Sequence, residues 1–347
     1  MMNELKMRKN NLILSHPNQI TMVTVTYGSR CSLLTKVVDH AFAQGVGKII
    51  VVNNGAEWDV ADWANNNISR QIDVVTLQIN KGSAEGFYVG IERAIKLGSD
   101  FILLMDDDNI PDKSCIINLI HCYQKLLSDV DLNKIAICAL RYSTKMRLYA
   151  NKAMARPDTF LSFHFYDLPG KIASRLRTRR RERVSLPSND DIVALDMAPY
   201  GGLLFHSSVI QLIGLPKQEF VLYGDDGEFT YRLSQHGGFL GCCTKASVTD
   251  MDDSWNANKQ HQSSFAVWLM GKNEVRSYYY ARNQAWIDSH LIKRSNLIYL
   301  TNKYFYITVM FFLAFFWGRL NRLRLLLRAI REGEQGMLGV NGDYQLK

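Results

Sequence analysis

The feature that most constrains the fold is an alternation of short apolar runs with amphipathic intervals between residues 20 and 137. Strands are predicted at residues 21–26, 48–52, 74–79, 101–105 and 135–139, and helices at 33–43, 84–97 and 114–127. Parallel strands need a crossover connection, and helices that alternate with strands usually supply it. The sequence therefore predicts an α/β fold: a Rossmann-type, mostly parallel sheet flanked by helices.

The pattern also divides the chain. We expect an N-terminal segment at residues 1–19, the α/β domain at 20–260 and a helical C-terminal region at 261–347. Periodicity fades between residues 141 and 193, which predicts a long loop or insertion within the domain. Order is predicted to return with a strand at 197–205, a helix at 207–213 and a helix that begins near Asp225.

Charge and apolar residues are unevenly distributed in the second half. The net charge is +8, with basic clusters at residues 171–183 and 319–331. An apolar block of 14 residues at 304–317 is short for a membrane span, which needs roughly 20 residues. We expect this block to lie in a membrane interface with the second cluster attracting anionic lipid; a buried core or dimer helix is the alternative.

Cysteine usage and the start of the sequence bear on location. The six cysteines have no CxxC spacing, which is typical of a reduced compartment. Residues 1–10 are charged and lack the apolar stretch of a secretory signal. We therefore expect a cytoplasmic protein, peripheral on the inner face of the cell membrane, with no nucleic-acid partner and with a homo-oligomer as one option.

Three successive carboxylates, Asp106, Asp107 and Asp108, follow the apolar run 101–105. A strand there would place them at the carboxyl edge of the sheet, where open α/β folds bind ligands. Carboxylates so close together repel one another unless a cation or a solvated turn relieves them. The triplet therefore predicts a divalent-cation site, with a polar turn as the alternative.

Further polar groups follow the other predicted strands. Residues 26–30 and 53–55 end the first two strands, and the small-residue turn 80–86 opens a helix, where backbone N–H groups can approach a phosphate or a sugar. A second acidic motif lies at residues 224–228. Its carboxylates could act as a general base or cap the helix that follows.

The ordered set of motifs resembles the family 2 glycosyltransferases of GT-A fold, particularly bacterial rhamnosyl- and galactofuranosyltransferase-like members. The resemblance covers about residues 21–283, and its motifs are TYGSR, VVNNG, NKGSAEGFYVGIERA, LLMDDD, GGLLFH, LYGDDGEF and YYYARN. It implies transfer of a sugar, with inversion, from a nucleotide diphosphate donor (UDP or dTDP) to the hydroxyl of a glycan or lipid-linked acceptor.

The resemblance also implies roles for individual residues. Mn²⁺ or Mg²⁺ is expected on Asp106 and Asp108, and Asp226 is the candidate catalytic base beside Asp225. The implied donor-binding residues lie on the strand ends and the small-residue turn; they are Thr26, Tyr27, Arg30, Asn53, Asn80, Gly82, Ser83, Gly86, Asp107 and Gly202.

Four positions have alternatives. Asn53 replaces the aspartate that relatives use to pair with the nucleobase, so the base stays open. Asp250 stands where relatives often carry a metal-binding histidine, and a solvated acidic turn is equally open there. Glu228 is expected to orient the acceptor or cap a helix, and Arg282 to bind the acceptor or a phosphate, or to bridge helices.

Two other functions compete with glycosyl transfer. A nucleotidyltransferase that makes the nucleotide sugar would need a basic glycine-rich loop after the first strand, which residues 26–30 match poorly. A non-catalytic membrane-associated binding subunit would have no need of both acidic motifs.

Overall fold

A computed structural model describes residues 14–67, 71–141, 154–167, 191–252, 264–271 and 273–346. Most of the predicted insertion and the whole basic cluster at 171–183 lie outside these residues. The strands are β1 (Ile20–Gly28), β2 (Lys48–Ala56), β3 (Ile72–Leu77), β4 (Phe101–Asp106), β5 (Asn109–Pro111), β6 (Ile135–Leu140), β7 (Ile192–Ala194), β8 (Leu203–His206) and β9 (Phe239–Asp250).

The helices flank this sheet and form the C-terminal region. They are α1 (Cys31–Ala43), α2 (Val60–Asn65), α3 (Ser83–Lys96), α4 (Cys115–Leu126), α5 (Val209–Ile213), α6 (Asp225–Gln235), α7 (Ser264–Met270), α8 (Glu274–Ile287), α9 (Asn296–Phe316) and α10 (Leu320–Glu334).

The sheet order is β3-β2-β1-β4-β8-β6-β9-β5, and β7 pairs with β9. The first four strands in this order are parallel, β8 runs antiparallel to β4 and β6, and β9 returns parallel to β6. The predicted α/β fold with a mostly parallel, helix-flanked sheet and a helical C-terminal region is confirmed, and the antiparallel β8 makes the sheet mixed.

Strand β4 shows why its sequence is continuously apolar. Phe101, Leu103 and Met105 face one hydrophobic cluster, while Ile102 and Leu104 face a second cluster on the opposite side of the sheet. All five side chains are buried, because helices cover both faces of this central strand. The strand therefore carries the acidic triplet out of the core to the sheet edge.

Two sequence expectations need correction. The strand expected at 197–205 is only Leu203–His206, because Gly202 has φ +88° and interrupts the extended backbone before it. The stretch that ends at Asp250 is not an acidic turn; it is the end of β9, the longest described strand. The arginine-rich stretch after residue 319 agrees with the predicted helical C-terminal region: it forms α10, with Leu323, Leu326 and Ile330 buried along one face.

Helix α9 has two distinct faces. Tyr299, Asn302, Tyr306, Met310 and Ala314 are buried at helical spacing. The opposite face is apolar and exposed, with Leu297 at 77% and Phe316 at 76% of full exposure. Among the described residues, α9 is the one helix whose length and composition would allow it to cross a membrane.

Candidate active site

The carboxyl end of β4 meets the end of β9 because the short strand β5 pairs antiparallel with β9. This pairing sets Asn109 opposite Asp250. The Asn109 amide then donates to Asp250 Oδ1 at 2.7 Å and to Asp108 Oδ1 at 3.0 Å. Asp250, which lies 141 positions after Asn109 in the chain, is thereby fixed beside the acidic triplet.

Arg30, just beyond β1, binds one side of this acidic cluster. Its Nε lies 3.0 Å from both Asp107 oxygens, Nη2 lies 2.8 Å from Asp108 Oδ2, and Nη1 lies 2.8 Å from Asp252 Oδ2. Burial raises the pKa of Asp107 to about 7, although Arg30 opposes that rise. The guanidinium also lies 5.1 Å from the ring centroid of Tyr27.

Arg141, just beyond β6, binds the other side. Its Nη1 lies 2.7 Å from Asp106 Oδ2, and its Nη2 lies 2.8 Å from Asp250 Oδ1. Gly201 makes room for this arrangement, because a Cβ there would lie 2.0 Å from Asn109 Oδ1 and 2.8 Å from Arg141 Nη1. Both arginines follow strand ends, so an arginine just past a buried strand was the available sequence signal for Arg141.

The second acidic motif begins α6. Asp225 is 2% exposed, and both of its carboxylate oxygens lie 3.2 Å from Ser83 Oγ at the start of α3. Burial, and after it the charge of Asp226, raise the pKa of Asp225 well above its ordinary value. Burial raises the pKa of Asp106 too, with Arg141 opposing and Asp226 and Asp250 adding to the rise. The carboxylates of the two acidic motifs therefore influence one another's pKa.

The turn at residues 80–86 is held by side-chain hydrogen bonds. Asn54 donates to the Gly82 carbonyl at 3.0 Å and accepts from the Lys81 amide at 2.9 Å, while Asn80 Oδ1 accepts from the Gly82 amide at 3.0 Å. Gly82 has φ +88°, and a Cβ there would lie 2.0 Å from the Val221 carbonyl oxygen. This close approach attaches the turn to the loop that precedes Asp225.

Other predicted donor residues lie near the same edge with structural contacts. Thr26 is buried at the end of β1, opposite Asn53, whose side-chain oxygen accepts from the Ala56 amide at 2.9 Å. Gly86 packs α3 against β1, since a Cβ would lie 2.5 Å from Val25 Cγ1. Gly202 packs against Ala139 within the sheet.

Neither expected acceptor residue faces the site. Glu228 is 1% exposed and lies 3.2 Å from Arg232 Nε, because it points from the first turn of α6 toward the next turn. Arg282 is also 1% exposed, and its guanidinium donates to the carbonyls of Gly339, Glu219 and Phe220. These contacts are structural, so acceptor binding is not supported at either residue.

The asparagine next to Arg282 has a positional role that the sequence did not reveal. Asn283 Nδ2 lies 2.7 Å from the Phe220 oxygen, 3.0 Å from the Leu222 oxygen and 2.7 Å from the Tyr223 oxygen. Val221 and Tyr223 both have positive φ, at 63° and 68°. The amide therefore holds a strained loop that ends at the second acidic motif.

Tyr200 is a further residue that the sequence reasoning missed. Its ring is 3% exposed and packs 4.3 Å, centroid to centroid, from Phe87. Burial, followed by the charges of Asp225 and Asp226, raises the pKa of its hydroxyl well above the ordinary value. A neutral hydroxyl group therefore borders the second acidic motif.

The donor atoms of the first motif suit a hard divalent cation. Asp106, Asp108 and Asp250 supply carboxylate oxygens, and the buried Oδ1 of Asn109 has no hydrogen-bond partner among the described residues. Within that part of the chain, no three His, Cys, Asp or Glu side chains are already arranged as a metal site. Mg²⁺ commonly binds one or two carboxylates together with substrate phosphates, so the site fits a cation that arrives with a diphosphate.

The chain has sequence relatives among the galactofuranosyltransferases. It is 25% identical to galactofuranosyltransferase GlfT1 of Mycolicibacterium smegmatis over 67% of the chain and 71% of the relative. It is 27% identical to GlfT1 of Mycobacterium tuberculosis over 48% of each protein, so this match spans about half of that relative. No family model matches the chain.

Two solved structures align with about three quarters of this chain. A crystal structure of GalNAc-T7 with UDP, GalNAc and Mn²⁺ aligns with TM-score 0.47 and 14% identity over 77% of this chain and 50% of that one. Staphylococcus aureus TarS 1-349 with UDP-GlcNAc aligns with TM-score 0.46 and 10% identity over 78% of this chain and 67% of that one.

The motifs and the sequence relatives support a glycosyltransferase, and its α/β domain has the mostly parallel, helix-flanked sheet that the resemblance implies. The predicted resemblance to family 2 glycosyltransferases is confirmed, with the galactofuranosyltransferases among its relatives.

Proposed function

We propose that the enzyme is an inverting, metal-dependent glycosyltransferase that moves a sugar from a nucleotide diphosphate donor to an acceptor hydroxyl. The observation that supports the proposal is the pair of acidic motifs, one at the carboxyl end of β4 and one at the start of α6, where Ser83 of the turn at residues 80–86 contacts Asp225 and the charge of Asp226 acts on Asp106. One motif suits a departing diphosphate, and the other suits an incoming hydroxyl. Neither the nucleotidyltransferase nor the non-catalytic alternative explains both motifs and these sequence relatives.

The chemistry assigned to the residues is a single displacement. Asp226 takes the proton of the acceptor hydroxyl while the hydroxyl oxygen attacks the anomeric carbon of the donor sugar. The bond from that carbon to the diphosphate breaks in the same step. Asp106 and Asp108 would hold Mn²⁺ or Mg²⁺, with Asp250 beside them. When bound, such a cation stabilises the negative charge that develops on the leaving diphosphate.

The donor is a UDP- or dTDP-sugar in this proposal, and the transferred sugar is galactofuranose, rhamnose or a similar hexose. Support comes from the galactofuranosyltransferase relatives and from the turn at residues 80–86, which lies next to the acidic motifs through the Ser83–Asp225 contact. The acceptor is a glycan or a lipid-linked glycan of surface polysaccharide or cell-wall synthesis.

The experiment is a panel of UDP- and dTDP-sugars, each tested with Mn²⁺ or with EDTA for thermal stabilisation and for sugar transfer. A ligand that binds the native state raises the melting temperature by mass action. We expect at least one donor to stabilise the enzyme in Mn²⁺ but not in EDTA, and Asp106→Ala with Asp108→Ala to abolish that stabilisation. Donor stabilisation of the wild type that is equal in Mn²⁺ and in EDTA, or stabilisation of the double variant in Mn²⁺ equal to that of the wild type, would contradict the metal assignment.

We also propose that the enzyme docks on the inner surface of the cell membrane through the exposed face of α9. Leu297, Tyr304, Phe311 and Phe315 recur along this face at helical spacing and are 48–77% exposed. The opposite face packs on protein along the whole helix, where Asn302 donates to the Asp158 carbonyl at 2.7 Å. This two-sided environment favours a helix that lies in the plane of the interface over one that crosses the bilayer.

Charge at both ends of α9 supports an anionic lipid surface as the occupant. Lys293 and Arg294 are exposed before the helix, and Arg319 and Arg324 are exposed after it. Each basic residue near an anionic membrane surface contributes about 1 kcal/mol to binding. A second copy of the chain would need matching negative charge on or around the same face.

Vesicle sedimentation tests this docking. We expect Phe312→Glu with Phe315→Glu to lose binding to vesicles that contain phosphatidylglycerol, while Ile95→Glu, which changes an exposed apolar residue on α3, keeps it. Binding of the double variant equal to that of the wild type would refute the docking surface. A change in oligomeric state without a change in vesicle binding would instead identify a dimer interface.

A further inference from the structure

Arg141 lies between two carboxylates, Asp106 and Asp250, that the family resemblance implies as metal ligands. Its guanidinium joins Asp106 and Asp250 at 2.7 and 2.8 Å, and the three side chains are 15%, 32% and 24% exposed. A cation placed between these carboxylates would take the position that the guanidinium now holds. The arrangement therefore raises the question of whether Arg141 is a permanent structural residue or an exchangeable one.

Comparison with Arg282 indicates an exchangeable residue. Every nitrogen of the Arg282 guanidinium has a hydrogen-bond acceptor: Asn283 Oδ1 for Nε, and backbone carbonyls for Nη1 and Nη2. In Arg141 the buried Nε has no partner in the described part of the chain. Arg141 thus retains an unused donor at the site, whereas the hydrogen-bonding groups of Arg282 are satisfied by the protein itself.

The surrounding charge favours additional cations. Seven aspartates belong to the two motifs and their neighbours; they are Asp106, Asp107, Asp108, Asp225, Asp226, Asp250 and Asp252. Two guanidiniums, those of Arg30 and Arg141, contact five of these carboxylates: Asp106, Asp107, Asp108, Asp250 and Asp252. A divalent ion brings more positive charge to the gap than a guanidinium, and a guanidinium is suited to bidentate contact with phosphate oxygens.

We propose that Arg141 balances the charge of Asp106 and Asp250 in the donor-free enzyme. When the divalent ion binds between these two carboxylates, Arg141 leaves that position and then binds the donor's diphosphate. This inference rests on the proposed metal-dependent function. It assigns Arg141 two opposed effects: competition with the cation before donor binding, and attraction of the phosphates afterwards.

The test measures Mn²⁺ binding without donor, by loss of the electron paramagnetic resonance signal of free Mn²⁺. The variants are Arg141→Ala and Arg141→Gln, which keeps a planar polar head without the charge. Arg93→Ala is the matched control, because it breaks an arginine–aspartate pair of 2.7 Å with Asp73 away from the site. Melting temperatures confirm that each variant is folded.

We expect both Arg141 variants to bind Mn²⁺ more tightly than the wild type, by roughly tenfold for a competing unit charge at this distance in a partly solvated site. With saturating Mn²⁺, the same variants should bind UDP more weakly than the wild type. The control should change neither affinity. Mn²⁺ binding that appears only in the Arg141 variants would also support competition.

Mn²⁺ affinity that is unchanged or lower in both Arg141 variants would overturn the exchange. A different result would be sugar transfer by the wild type in EDTA together with loss of UDP binding by the variants in EDTA. Arg141 would then be a fixed positive charge of the donor site, and the enzyme would be a glycosyltransferase that needs no metal. If the wild type shows metal-dependent transfer but the variants bind Mn²⁺ as it does, only the inference about Arg141 fails.

Discussion

Replacing Asn283 with alanine should show whether Asn283 positions the second acidic motif or only stabilises the fold. The Asn283 amide has two hydrogens for three carbonyl oxygens at 2.7–3.0 Å, and it is fully buried. Removing it leaves buried carbonyls without their donor, which costs roughly 2 to 4 kcal/mol of unfolding free energy for the two lost donor bonds, and it also leaves the buried Nε of Arg282 without its acceptor.

The same variant should lower kcat much more than it changes the donor KM. The loop that Asn283 holds has positive φ at Val221 and Tyr223 and leads directly to Asp225 and Asp226. Relief of that strain would move the acids, and a displacement of about 1 Å can reduce the rate by roughly 100-fold. Urea unfolding gives the stability, and initial rates over a donor series give kcat and KM.

Asn302→Ala is the matched control. Asn302 lies on the buried face of α9, away from the acidic motifs, and is also fully buried. It donates to the Asp158 carbonyl at 2.7 Å and accepts from the Phe165 amide at 2.9 Å. It should lose stability while the kcat of the folded fraction stays close to that of the wild type. A normal kcat in Asn283→Ala, or an equal loss of kcat in both variants, would refute the positional role.

Two further predictions concern stability and packing. Burial raises the pKa of Asp288 to about 7 from an ordinary 3.8. Between these two pH values the folded state keeps a proton that the unfolded state releases, so the free energy of unfolding should fall as the pH rises from 4 to 7. Asp288→Asn should flatten this decline in urea midpoints measured from pH 4 to 7, and parallel curves for the two proteins would contradict the assignment. Gly86→Ala would place a Cβ 2.5 Å from Val25 Cγ1, so it should destabilise the fold by about 1–3 kcal/mol and weaken donor binding. Adding Val25→Ala should recover both properties, and a double variant no better than Gly86→Ala would show that the contact is not the cause.

The strands of the first half could be predicted because their signal is local. The run that forms β4 is apolar at every position since both of its faces are buried, and it is bounded by polar residues. Strand β9 escaped prediction because its sequence contains small and polar residues, among them Thr244, Lys245 and Ser247. Its extended form is fixed by pairing with β5, β6 and β7, which the local sequence does not show.

The carboxylates of the candidate site could be predicted from the sequence, but most of the side chains that bind them could not. The two acidic motifs are visible because several carboxylates in one turn are unusual, and both lie at element ends. The position of Arg141 just past a buried strand was visible, but both Arg141 and Asn109 reach Asp250 only through long-range strand pairing, so no local pattern indicates that partner. The two faces of α9 were hidden for another reason: both are rich in apolar residues, so periodicity does not distinguish the buried face from the exposed one.

The most direct test of the central claim compares sugar transfer and donor binding in Asp226→Asn. The asparagine keeps the shape of the side chain but cannot accept the acceptor's proton as a base. We expect transfer from the best nucleotide sugar to fall by roughly 10²- to 10⁴-fold, while the donor still raises the melting temperature in Mn²⁺ as it does for the wild type. Transfer at the wild-type rate would contradict the assignment of the second acidic motif as the catalytic half of the site.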